Sequence, residues 1–188
     1  VNAGDLVDGG DGVDTVWAAE GMRDYEENFN FSAIVFRNME ALAFNYMPMP
    51  MPGQVIFSSA QFGTGLLSED LMIYGAWDDQ KITVNLAAGN SSFDASGWQF
   101  ANAGSTSGTQ SAVWGKYTYT GSGMFSGQEV GGNDTIYLTG SSGNNRIKGT
   151  SVDDILNGGA GADTLIGGGG NDRYFADAAD FVIEAGSG

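Results

Sequence analysis

The sequence contains neither cysteine nor histidine, and only seven of its 188 residues are basic. A chain without cysteine forms no disulfides, and a chain without either residue type lacks the Ser-His and Cys-His pairs of nucleophilic catalysis. A zinc site is not expected either, because cysteine and histidine are the usual zinc ligands. The lack of cysteine fits an exported protein that uses metal in place of disulfides, although a cytosolic protein can also lack it.

The scarcity of basic residues leaves a strongly acidic chain, with 23 acidic residues and a net charge of −16. This charge argues against nucleic acid as a partner, because phosphates would be repelled. It fits a protein that binds divalent cations, with a simply acidic, soluble surface as the alternative. We favour cations because many of the acidic residues fall in the repeat described below.

Long apolar runs are also missing, since none approaches the roughly 18 residues that span a bilayer. The first ten residues, VNAGDLVDGG, lack the basic start and apolar centre of a secretory signal. We therefore expect no transmembrane segment, and we expect any export to use another signal.

A nine-residue repeat is what the sequence does contain, between Gly131 and Phe175. Its blocks read GGNDTIYLT, GSSGNNRIK, GTSVDDILN, GGAGADTLI and GGGGNDRYF, and each begins with glycine. Position eight is always apolar, as Leu138, Ile147, Leu156, Leu165 and Tyr174. Position six carries a short acidic or amide side chain in the last four blocks, as Asn145, Asp154, Asp163 and Asp172. The same register returns in GGDGVDTVW, Gly9 to Trp17, with Asp14 at position six, and one block earlier with Asp5.

The repeat predicts a flattened coil in which short strands alternate with glycine-rich turns. One apolar residue per strand points inward, and glycine supplies the backbone angles that the turns need. Two blocks make one coil of eighteen residues, so Asp154 should stack with Asp172, and Asn145 with Asp163. Carboxylates and turn carbonyls from stacked coils would give a hard cation the six to eight oxygens it prefers. Because stacked carboxylates repel each other, we expect this region to be unfolded or loosely folded without metal.

The middle of the chain, from Phe31 to about Thr120, reads as irregularly spaced strands separated by polar turns. We expect wider coils of a β-solenoid that continue the repeat's hydrophobic column, with a compact sandwich as the alternative. The run Met47 to Pro52 predicts an extended surface loop. Five aromatic residues are interpreted as core or ladder residues in preference to a sugar-binding platform: Trp77, Trp98, Trp114, Tyr117 and Tyr119. After the last block, Asp177 and Asp180 are expected to close the array in a capping segment.

The predicted organisation therefore has four parts: repeats at 1–17, an irregular solenoid-like insertion at 18–130, a β-roll at 131–175 and a cap at 176–188. The stretch GTSVDDILNGGAGADTLIGGGGNDRYFAD resembles the calcium-binding repeats of the RTX, or hemolysin-type, family. This resemblance implies an all-β fold with parallel β-roll segments, several bound calcium ions, export by a type I secretion system, and folding outside the cell where calcium is abundant. The chain would then be a fragment of a large secreted bacterial protein, since the first block is cut short at Val1 and no C-terminal secretion signal is recognisable.

The calcium ligands implied by the resemblance are position-six side chains and turn carbonyls. The complete candidate set is Asp5, Gly9, Asp11, Asp14, Asn145, Asp154, Gly158, Ala160, Asp163, Gly167, Gly169, Asp172, Asp177 and Asp180. Asn145 replaces the usual aspartate and Asp134 stands two places early, so calcium occupancy is expected to decline toward the start of the second array.

The function expected from the sequence is a calcium-binding structural module of an extracellular or cell-surface protein, such as an adhesin, a surface-layer protein or a toxin. Calcium, other copies of the chain and cell-surface glycan are the expected partners. The alternative is the repeat region of a secreted polysaccharide lyase or epimerase, or of another hydrolase. We expect no catalysis by this chain itself, because no convergent acid-base set is visible.

Overall fold

The computed structural model describes residues 4–18, 28–44, 54–74, 81–101, 110–114, 117–121 and 135–184. Within these residues the chain is built from strands, with one short 3₁₀ helix, Ser59–Gln61, which confirms the all-β prediction. The strands are β1 Leu6–Asp8, β2 Thr15–Ala18, β3 Asn28–Asn30, β4 Val35–Arg37, β5 Met39–Phe44, β6 Gln54–Ser58, β7 Leu67–Tyr74, β8 Lys81–Asn85, β9 Ser92–Asp94, β10 Gln99–Ala101, β11 Gln110–Trp114, β12 Tyr117–Gly121, β13 Thr135–Thr139, β14 Arg146–Lys148, β15 Asp154–Asn157, β16 Thr164–Ile166, β17 Arg173–Phe175 and β18 Phe181–Ile183.

The strands stack as a parallel solenoid, in which each strand pairs with the strand one coil further along. The longest sheet has the order β17-β15-β13-β8-β6-β3, and two four-stranded sheets have the orders β18-β16-β14-β9 and β10-β7-β5-β2. A two-stranded parallel sheet joins β1 and β4. The single antiparallel pair within the described residues is the hairpin β11–β12. The solenoid prediction for the middle is therefore confirmed over the sandwich.

Coil width changes along the solenoid. Near the C-terminus each coil has two strands, and Ile136 pairs with Asp154, so the coil is the predicted eighteen residues long. In the middle a coil has three strands, as in β4, β5 and β6, and Val55 pairs with Ile82, twenty-seven residues further on. Pairing of β8 with β13 joins the wide and narrow coils in one sheet. This sheet runs across the predicted boundary between residues 130 and 131. The boundaries of the four predicted parts therefore stay predictions.

A continuous hydrophobic column fills the coils. The position-eight side chains of β13 to β16 are fully buried, which confirms that this position points inward: Leu138, Ile147, Leu156 and Leu165. Aromatic rings fill the wider coils, and Phe62 stacks on Trp98 with 5.7 Å between ring centroids. Trp98 is 3% exposed, so it is a core residue and not part of a sugar-binding surface. The side chains of Trp77, Trp114, Tyr117 and Tyr119, and the Met47 to Pro52 loop, lie outside the described structure.

Candidate metal centres

Glycine-rich turns between the strands form the two edges of the solenoid. In the turns Gly158–Asp163 and Gly167–Asp172, positions two and four have φ between +88° and +133°: Gly159, Gly161, Gly168 and Gly170. The N-terminal turn Gly9–Asp14 has the same feature at Gly10 and Gly12, with φ of +84° and +135°. These left-handed angles suit glycine and explain why the repeat requires it at these places. The three turns thus share left-handed backbone angles at positions two and four.

Position-six side chains link each turn to the preceding coil. The Asn145 N–H donates to Asp163 Oδ1 at 2.7 Å, and the Asp154 N–H donates to Asp172 Oδ1 at 3.0 Å. The capping segment repeats the contact, because the Asp163 N–H donates to Asp180 Oδ1 at 2.9 Å. The predicted pairing of alternate turns is therefore present, as Asn145–Asp163–Asp180 on one edge and Asp154–Asp172 on the other.

At Gly140 and Gly149, each the first glycine of a turn, oxygen atoms from two coils converge. A Cβ atom on Gly149 would contact the Gly167 carbonyl oxygen and would lie 2.5 Å from Asp154 Oδ2. A Cβ on Gly140 would similarly contact the Gly158 carbonyl oxygen and lie 2.8 Å from Asn145 Oδ1. Because these positions lack a side chain, a carbonyl from one coil and a carboxylate or amide from the preceding coil approach each other. Such oxygen-only clusters match the donors that calcium prefers.

Three carboxylate oxygens in these turns have no partner among the described residues although they are shielded from solvent. They are Asp14 Oδ2, Asp163 Oδ2 and Asp172 Oδ2. Asp163 as a whole is 2% exposed. A buried carboxylate oxygen without a hydrogen bond or a counter-charge is costly. A cation beside each of these oxygens would remove that cost, so the residues present fit a metal ion.

The electrostatics of the turns agree with this fit. The pKa of Asp154 is raised from 3.8 to about 7, first by burial and then by the charges of Asp172 and Asp153, while the hydrogen bonds from Thr150 act to lower it. The pKa of Asp172 is also raised, first by burial and then by the charges of Glu184 and Asp153. A nearby cation reverses both effects, because an opposite charge favours the ionised carboxylate.

The other predicted ligands differ in how they are placed. The Asp5 carbonyl accepts from the Val35 N–H at 2.9 Å, and the residue stacked on Asp5 one coil later is Ile34, not an acidic residue. Asp11 and Asp177 are exposed, whereas Ala160 and Gly169 donate their N–H groups to carbonyls of the preceding coil. Within the described residues no group of three or more acidic, histidine or cysteine side chains gathers. Any cation there would rely on backbone carbonyls as well as on one or two carboxylates.

Side chains at position five of the repeat also accept hydrogen bonds from the next coil, which the repeat pattern did not indicate. The Ala162 N–H donates to Asn144 Oδ1 at 3.0 Å, and the Asn171 N–H donates to Asp153 Oδ1 at 2.7 Å. The recurrence of Asn144, Asp153 and Asn171 at this position was the available signal. These side chains hold successive turns in register beside the position-six contacts.

Acid-lined glycine turns stacked on a parallel β-roll define a class of calcium-dependent repeat proteins. The RTX calcium-binding nonapeptide repeat family model matches the chain in four copies, over residues 3–21 and 139–174. These two segments are RTX calcium-binding repeats, which confirms the resemblance seen in the sequence. No curated protein and no solved structure matches the chain. No helix within the described residues has the length and apolar character needed to cross a membrane.

Proposed function

We propose that this chain is a calcium-stabilised structural module of an extracellular bacterial protein exported by a type I secretion system. The observation that carries the proposal is the set of shielded, unpartnered carboxylate oxygens in the repeat turns. Without a cation these oxygens and the raised pKa of Asp154 oppose folding; with calcium they become ligands. Low calcium inside a cell and high calcium outside it would therefore delay folding until after export.

A structural role is favoured over catalysis by the placement of the basic residues near the repeats. Arg146 and Arg173 are exposed on the strands, and Lys148 lies 3.6 Å from Asp94 in a surface ion pair. Within the described residues none of the three side chains forms an ion pair with a turn carboxylate. The parent protein, as an adhesin, a surface-layer protein or a toxin, would supply the activity or the target.

A calcium titration followed by circular dichroism tests the proposal. The chain should gain β-sheet signal as calcium is added to the metal-free protein. Asp163→Asn retains an oxygen that can accept from the Asn145 N–H but removes the charge, so the calcium midpoint should rise on the order of tenfold. Glu69→Gln, at an exposed position of β7, makes the same change in charge and should leave the midpoint of the Asp163 turn unchanged, because β7 pairs with β5 and β10 and not with the strands beside that turn. A β-sheet signal that does not respond to calcium would refute the proposal.

Self-assembly is a second proposed property, supported by the edge strands β17 and β18. These strands expose Phe175 and Phe181, which are 55% and 64% accessible. Exposed apolar edge strands favour pairing with another chain. Light scattering in chelator and in millimolar calcium provides the test, and a monomer in both conditions would contradict assembly.

A further inference from the structure

The N-terminal repeat turn stacks on a coil that is not a repeat. Register on either side of the turn is fixed by the pairs Asp8–Arg37 and Thr15–Ala41. The six residues Gly9 to Asp14 are therefore opposed by the three residues Asn38, Met39 and Glu40. A nonapeptide turn would have placed a second aspartate above Asp14, and the shorter corner places Glu40 there instead.

Glu40 makes the contact that position six makes in the repeats. The Asp14 N–H donates to Glu40 Oε2 at 2.9 Å. The corresponding distance is 3.0 Å from the Asp154 N–H to Asp172 Oδ1. Glutamate is one methylene longer than aspartate, and this extra reach accounts for how a shorter corner still brings a carboxylate to the same backbone group.

The backbone carbonyl of Asn38 takes the place that the first-glycine carbonyl of the next coil takes in the repeats. A Cβ atom on Gly9 would contact the Asn38 carbonyl oxygen and lie 2.7 Å from Asp14 Cγ. This arrangement matches Gly149, which faces the Gly167 carbonyl and Asp154. Asn38 adopts a φ of +51°, and its Nδ2 donates to Asp8 Oδ1 at 2.9 Å, which fixes the corner on the turn below it.

Among the described residues, no positively charged group is seen to pair with the oxygen atoms of Asp14, Glu40 and Asn38 at this corner. Asp14 Oδ2 is shielded from solvent and accepts no hydrogen bond from the described residues. A second carboxylate, from Glu40, lies against the same turn, and the carbonyl of Asn38 also faces it. All three groups are oxygen donors, as a hard divalent cation requires.

We infer that Glu40 is a calcium ligand, and that Glu40, Asp14 and the Asn38 carbonyl close a calcium site at the junction between the N-terminal repeat and the wider coils. The inference rests on the proposed calcium-dependent function and adds a ligand that lies outside the nonapeptide pattern. A cation held there ties the turn Gly9–Asp14 to the coil that contains β4 and β5.

Glu40→Gln and Glu40→Asp test the inference, with Glu69→Gln as the control for charge. Calcium stoichiometry is measured by equilibrium dialysis, and hydrogen–deuterium exchange reports on residues 9–18 and 135–184 separately. Wild type should show calcium-dependent protection in both segments. Both Glu40 variants should bind one ion on the order of tenfold more weakly or not at all. They should lose protection at 9–18 and keep it at 135–184.

Each outcome has a separate meaning. Glu40→Asp keeps the charge and shortens the reach, so a loss of calcium in this variant identifies a direct ligand and not a distant electrostatic effect. Retained exchange protection of β6 and β8 shows that the variants are folded. If both Glu40 variants match Glu69→Gln in stoichiometry and in protection at 9–18, the inference is overturned while the proposed function stands. If wild type takes up no calcium, the proposed function fails and the inference fails with it.

Discussion

Replacing Gly149 by alanine should weaken both folding and calcium binding, because two coils approach each other closely at this position. The added Cβ would contact the Gly167 carbonyl oxygen, which belongs to the backbone, and would lie 2.5 Å from Asp154 Oδ2. Neither group can retreat without disturbing the turn that holds it. Such overpacking typically costs about 1–3 kcal/mol.

Gly143→Ala provides the matched control within the same block. A Cβ at Gly143 would meet nothing within 4 Å, and the residue is exposed. Because its φ is not in the left-handed region, alanine should stabilise the folded state by about 0.4–1 kcal/mol through the lower entropy of the unfolded chain. The two alanine variants should therefore differ in free energy of unfolding by about 1.4–4 kcal/mol, or roughly 10- to 1000-fold in the folding equilibrium.

Denaturant unfolding in saturating calcium measures this difference directly. A calcium titration of each variant, followed by circular dichroism, should place the midpoint of Gly149→Ala above wild type and that of Gly143→Ala at or below it. Equal stabilities of the two variants would refute the close approach of Gly167 and Asp154 to Gly149.

Two other predictions concern the carboxylates and the core. In metal-free buffer the folded state binds a proton at Asp154 more tightly than the unfolded chain, because burial raises the folded pKa from 3.8 to about 7. The free energy of unfolding of the metal-free chain should therefore increase by up to about 4 kcal/mol as the pH falls from about 7 toward 4, at about 1.4 kcal/mol per pH unit. The β-sheet signal should increase with it, whereas a signal independent of pH would contradict the burial of this carboxylate. Leu165→Ala removes a fully buried side chain and should cost about 2–5 kcal/mol in calcium-saturated unfolding, while Val182→Ala, 41% exposed, should cost much less; similar losses would argue against the inward position of Leu165.

The repeat coils were predictable from the sequence, because the nine-residue spacing and the residue types at positions six and eight indicate the same structure. The nine-residue spacing placed Leu156 and Leu165 inside and Asp154 beside Asp172, and the structure confirms these placements. The ligand assignments stay predictions, and Asp5 is the least supported of them, since Ile34 stacks on it.

The residues that sequence reasoning missed depend on coil lengths that no pattern records. Glu40 lies above Asp14 only because the coil between them is twenty-six residues long and its corner is three residues shorter than the repeat turn. No local motif around Glu40 carries that information, since irregular coils have no fixed period. The position-five contact of Asp153 was visible as a recurrence but gave no indication of its partner, because the acceptor is used by a backbone group one coil away.

The six-stranded sheet that joins the narrow and the wide coils also sets an order in which the coils can assemble. The strand pair β13–β15 joins residues eighteen apart, whereas β8–β13 joins Ile82 to Ile136, fifty-four apart. Closing a loop three times longer costs about 1 kcal/mol more in chain entropy, and distant contacts form more slowly than local ones. We therefore expect the narrow coils to form first and to present β13 as a template on which β8, then β6, then β3 are added, so that folding proceeds from the C-terminal side toward the N-terminal side.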